Sequence, residues 1–96
     1  MSNENVAAAP AGNIVGRTLY GVEGQHWEVP GVRLSIHATR EGADARALEL
    51  MNLLLADCDQ KPADTCKDAQ ARLAKTLESR GHSADLVTVF PLAVEG

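Results

Sequence analysis

The residues of this chain best suited to chemistry are its two cysteines, its three histidines and a set of arginines around one strand. Cys58 and Cys66 have seven residues between them, across an expected break between two helices. Both fall on apolar stripes, so they are expected to face one another across a helical hairpin. The first reading is two small buried hydrophobes at a helix crossing. The second is a disulfide stapling the hairpin, allowed by geometry but disfavoured in a reducing compartment. The third is a reactive thiol at Cys66, its pKa lowered by the start of the second helix. The spacing matches no common zinc-ligand pair and there is no second cysteine pair, so no metal site is expected.

His26, His37 and His82 belong to three separate segments. His26 and His37, with Glu28 or Arg33, can form a polar patch, which reads first as a solvated sheet face. A catalytic role needs the three-dimensional convergence of such groups. Arg33, Arg40 and Arg46 surround a strand-to-helix end that can receive an anion or an acidic partner, ordinary surface arginines being the simpler reading. Gly21, Gly24 and Gly31 are spaced as turns, and no glycine-rich segment opens a helix in the manner of a nucleotide cradle. No cofactor is therefore expected. Tyr20, Trp27 and Phe90 are the only aromatics. Together with Leu86 they are large for a sheet whose second face has no helix assigned to it. They either cap the core or anchor a partner.

The elements that must position these residues follow from hydrophobic periodicity. Residues 1–13 read as a flexible tail, rich in small and polar residues, and residues 14–96 as a single α+β domain. A first strand over 14–20 leads through Gly21–Gly24 as a hairpin connection to a short strand, His26–Val29. Pro30-Gly31 then suits a type II turn, with an irregular or longer connection as the alternative. From Val32 to Ala38 the apolar residues Val32, Leu34, Ile36 and Ala38 alternate with Arg33, Ser35 and His37. The apolar set is expected to face the core and the polar set to meet solvent or a partner.

From about Ala43 the period lengthens to that of a helix, with a wide apolar arc that suggests contact with both the sheet and a second helix. Asp59-Gln60-Lys61-Pro62 breaks it, and Thr65-Cys66-Lys67-Asp68 resembles a capping box. The second helix carries a narrow stripe of Cys66, Ala69, Leu73 and Leu77, and ends near Arg80 before Gly81. Leu86–Phe90, apolar on both faces, reads as a central strand ended by Pro91. The expected fold is a two-layer α+β domain: a mostly antiparallel four-stranded sheet, in the order β-β-β-α-α-β, with a helical hairpin on one face.

With 96 residues the chain is long enough for one core. Its net charge of −4 argues against a nucleic-acid backbone binder, and the scarcity of aromatics against a base-stacking platform. No apolar run reaches membrane-spanning length and no secretory plan opens the chain, so a cytoplasmic location is expected. By elimination the expected function is a small non-catalytic protein-binding module: an inhibitor, adaptor or immunity-type protein, of the kind phages and mobile elements encode. Its expected contact residues are Trp27, His37, Arg33, Tyr20 and Phe90, toward a protein partner or a second copy. The alternatives are a homo-oligomeric ligand-binding protein or small enzyme with a site at the subunit interface, and a nucleic-acid-associated regulator.

Overall fold

The structure is a computed structural model and describes residues 16–95. The expected tail and the start of the expected first strand lie outside the described residues. The described elements are β1 (Thr18–Gln25), β2 (Val32–His37), α1 (Arg40–Asp57), α2 (Cys66–Glu78) and β3 (Val87–Ala93). The class is α+β, as expected, but the antiparallel sheet has three strands, ordered β2-β1-β3. Among the described residues, no helix is long and apolar enough to cross a membrane.

Two expected strands are replaced by one. Gly21 and Gly24 lie inside β1, and His26–Val29 belongs to the connection before β2. Neither glycine has a positive φ, so neither is needed for a turn. Each is instead a point of close approach. A Cβ on Gly21 would lie 2.5 Å from Phe90 Cζ, and one on Gly24 would lie 2.8 Å from Leu50 Cδ1. Gly31, with φ of 119°, does hold the glycine-only conformation expected after Pro30. β3 runs through Pro91, which pairs with Tyr20. It is an edge strand rather than the expected central one, and an edge tolerates proline.

The two faces of β2 are the reverse of those expected. Val32, Leu34 and Ile36 stand opposite Gln25, Glu23 and Gly21, on the face that also carries Phe90. Among the described residues no helix covers that face, and the three residues are 55%, 63% and 48% exposed. Arg33, Ser35 and His37 share the other face with Gly24, Val22 and Tyr20, where α1 packs.

α1 begins at Arg40, three residues before the expected start, because Thr39 caps it: its Oγ1 accepts from the Gly42 N–H at 3.0 Å. The wide apolar arc is buried on two sides, as expected. Ala43, Ala47 and Leu50 meet Val22 of the sheet. Met51, Leu54 and Leu55 meet Ala69, Leu73 and Leu77 of α2. Thr65 caps α2 in the same way, accepting from the Asp68 N–H at 3.1 Å. Gly81, with φ of 81°, follows the helix as a left-handed terminator. α1 packs on all three strands, whereas among the described helices and strands α2 packs on α1 alone.

The helices do not form a hairpin. After Asp59, in the left-handed region at φ 58°, the chain turns back along α1. Asn52 grips this return with both halves of its amide, donating to Ala63 O at 3.1 Å and accepting from Ala63 N at 2.8 Å. Cys66 then opens α2 beside Asp44, in the first turns of α1. Thr76, near the other end of α2, hydrogen-bonds Gln60, just past the end of α1. The two helices therefore run in the same direction, joined by an extended crossover.

Two stability predictions follow. Gly24→Ala is expected to cost about 1–3 kcal/mol, because the added Cβ would lie 2.8 Å from Leu50 Cδ1 and displace this buried side chain from the seam between α1 and β1. Gly21→Ala should cost less, because Phe90 lies on the uncovered face and its ring can swing outward; urea denaturation of both variants gives the comparison. Asn52→Ala leaves both backbone groups of Ala63 without their side-chain partner. A loss of roughly 1–3 kcal/mol is expected, measured in the same way.

Candidate functional site

Beside β2, on the side of the sheet that carries α1, lies a cavity of about 440 Å³. Its apolar lining comes from Leu50, Leu53 and Leu54 of α1 and from Val87 of β3. The connection between β1 and β2 forms one end wall, through His26, Val29 and Gly31. Arg33 stands on the β2 side and Asp57 on the α1 side. Val29 and Leu53, at the rim, are 60% and 51% exposed. With Val32, Leu34 and Ile36 they make up the exposed large hydrophobic residues of the described chain. All five lie on β2 or at the rim of the cavity beside it.

His26 fastens the end wall. Its Nδ1 accepts from the backbone N–H groups of Glu28 at 3.0 Å and Val29 at 3.2 Å. The ring proton is then on Nε2, which donates to Asp57 Oδ2 at 3.0 Å. A histidine beside an aspartate suggests a general base, but here both ring nitrogens are committed. No lone pair is free for a substrate, so the pair ties the loop to α1. Trp27 stacks on His26, with ring centres 3.9 Å apart, and packs against the core between the helices and the sheet.

The other expected site residues are dispersed. His37 lies at the far end of β2, its Nε2 2.8 Å from Ser35 Oγ. It pairs with Tyr20, whereas His26 follows Gln25, so the two histidines are separated by roughly 17 Å of strand at ~3.4 Å per residue. Tyr20 packs at the edge of the sheet–α1 core. Phe90 lies on the uncovered face above Gly21. The three arginines do not converge. Arg40 pairs with Asp44 at 3.1 Å and Arg46 with Glu49 at 2.8 Å, both on α1. Arg33, beside the cavity, makes no ion pair among the described residues. Among these residues there is no group of three or more His, Cys, Asp or Glu side chains able to hold a metal ion.

The expected meeting of the cysteines does not occur. Cys58 is buried at the end of α1, whereas Cys66 Sγ donates to Asp44 O at 3.3 Å. Positions 44 and 58 lie roughly 20 Å apart along a helix rising ~1.5 Å per residue. Both thiols are free, and a disulfide needs Cα atoms within about 7 Å. The Cys66 thiol is not activated by the start of α2. Burial and the Asp44 carboxylate raise its pKa, and Arg40 offsets this only in part.

Sequence reasoning missed the cavity because its walls come from segments with no shared motif. The available signal was Leu53, which falls outside the main apolar arc of the first helix.

A thiol assay on unreduced, denatured protein should find two free thiols. In the native state, Cys66 should be alkylated by iodoacetamide more slowly than free cysteine at pH 8, with the difference narrowing as the pH rises. A rate above that of free cysteine would contradict the raised pKa. In comparisons with protein-family models, curated proteins and solved structures, the chain matches none.

Proposed function

We propose that the chain is a non-catalytic protein-binding module of the inhibitor or adaptor kind, and that its partner docks along β2. The observation that carries this reading is the gathering of the exposed large hydrophobic residues, Val29, Val32, Leu34, Ile36 and Leu53, around a single sheet edge. Isolated apolar residues are ordinary on a protein surface, but a row of them on one edge strand, with Val29 and Leu53 beside the same edge, supports an interaction site. The mixture of apolar side chains with Arg33 also resembles the composition of recognition surfaces. The absence of a free imidazole nitrogen at His26 favours recognition over acid–base chemistry at the same place.

The test is affinity capture from a lysate of the organism that encodes the chain, with the natural sequence and with Leu34→Lys and Ile36→Lys as baits. Both variants should fold normally, with stability within about 0.5 kcal/mol, because their side chains stand in solvent. The natural chain should recover a stoichiometric partner, and each variant should lose it by roughly tenfold or more. Equal recovery by all three baits, or no partner for the folded natural chain, would overturn the reading.

A further inference from the structure

The sheet has two edges, and they differ. β3 carries Pro91, which blunts an edge against strand addition. β2 contains neither proline nor glycine and stays in unbroken register with β1 from Val32 to His37. Its only strand partner among the described residues is β1, so alternate N–H and C=O groups on its outer side remain available to a further strand. Beside that edge, toward α1, lies the cavity, which Val32 at the start of the strand also lines; on the opposite face lie Leu34 and Ile36. An extended chain laid against β2 would point alternate side chains to these two sides.

We infer that the groove between β2 and α1 takes an extended peptide segment carrying an acidic side chain two positions from a large apolar one; this rests on the partner-docking reading above. The apolar side chain enters the cavity from the β2 side, toward the leucines of α1, Leu50, Leu53 and Leu54. The acidic side chain meets Arg33. Within the cavity lining the Asp57 carboxylate already accepts the His26 N–H, whereas the Arg33 guanidinium has neither an ion pair nor a hydrogen bond among the described residues, so its donors are the charged group left open to a carboxylate. A carboxylate can accept two parallel hydrogen bonds from it. Two-residue spacing puts both side chains on the groove side, roughly 7 Å apart at ~3.4 Å per residue. The residue between them faces outward beside Leu34, where an apolar side chain is again favoured.

A second copy of β2 fits this groove poorly. The residues it would turn toward α1 are Arg33, Ser35 and His37, which neither fill an apolar cavity nor neutralise an arginine.

The test is selection from a random twelve-residue peptide library displayed on phage, against the full chain and against Arg33→Glu. The natural chain should enrich peptides with an acidic residue two positions from Leu, Ile, Met or Phe. A synthetic consensus peptide should bind Arg33→Glu about tenfold or more weakly, and replacing its acid by lysine should reverse that preference. It should also lose binding to Leu34→Lys. Peptides that need Leu34 but ignore the charge at residue 33 would overturn the acidic partner and leave docking along β2 standing. Peptides indifferent to both positions, or no enriched peptide, would overturn the groove as a peptide site. A concentration-dependent dimer in sedimentation, abolished by Leu34→Lys and unaccompanied by peptide binding, would assign the edge to a second copy instead.

Discussion

The approach of Leu50 to Gly24 is the contact on which the arrangement turns. Because Gly24 has no Cβ, α1 settles onto the central strand with its leucine almost against the backbone. Ala43 and Ala47 continue the same close seam against Val22. Small residues on the helix and a missing side chain on the strand bring the two layers together. A helix is about 10 Å across and strands are spaced ~4.8 Å apart, so a helix seated in this way covers about two strands. α1 packs most closely on β1, next on β3 and least on β2. The open groove and the uncovered edge are thus consequences of where Leu50 can go.

The same placement explains the position of α2. Having given one side to the sheet, α1 still presents Met51, Leu54 and Leu55, which require a second cover. A hairpin would have brought α2 back antiparallel. The left-handed Asp59 and the Asn52–Ala63 clamp return the connection along α1 first, so that Leu73 and Leu77 arrive from the opposite direction. Leu53 remains outside both interfaces and forms part of the rim. The helix buried on two sides therefore keeps a third side facing the groove.

This division also shows what the sequence could disclose. The break after the first helix, the Thr65 cap, the Gly81 stop and the two-sided burial of α1 were legible, because each depends on local chemistry or helical period; the Thr39 cap was not read, and the expected start of α1 fell three residues late. The glycines of β1 were not, since a glycine required by a neighbouring Phe90 or Leu50 looks the same in sequence as one required by a turn. Alternation in β2 revealed two faces but not which one would be covered. The polar face is accommodated under α1 because Ser35 and His37 satisfy one another and both stay only partly buried. Cys66 illustrates the same limit: its position at a helix start was readable, but its burial beside Asp44 depended on a crossover that no periodicity encodes.

The two edges then bear on function. Leaving Val32, Leu34 and Ile36 in water forgoes the stabilisation that burying them would bring, and it leaves a strand edge prone to unwanted pairing. β3 shows that this chain accommodates an edge proline within the ladder, opposite Tyr20. Beside the unblunted edge, His26 ties its loop to α1 with one hydrogen bond to Asp57 and braces the loop with two from Glu28 and Val29, so the end wall of the cavity is fixed in advance. A fixed wall lowers the ordering cost of binding. Exposed apolar side chains, an unpaired arginine and a tethered loop at the same edge each cost the isolated chain something or give it little. On the proposed reading all three act together when a partner strand occupies the groove, and that shared use is the physical reason to place recognition there.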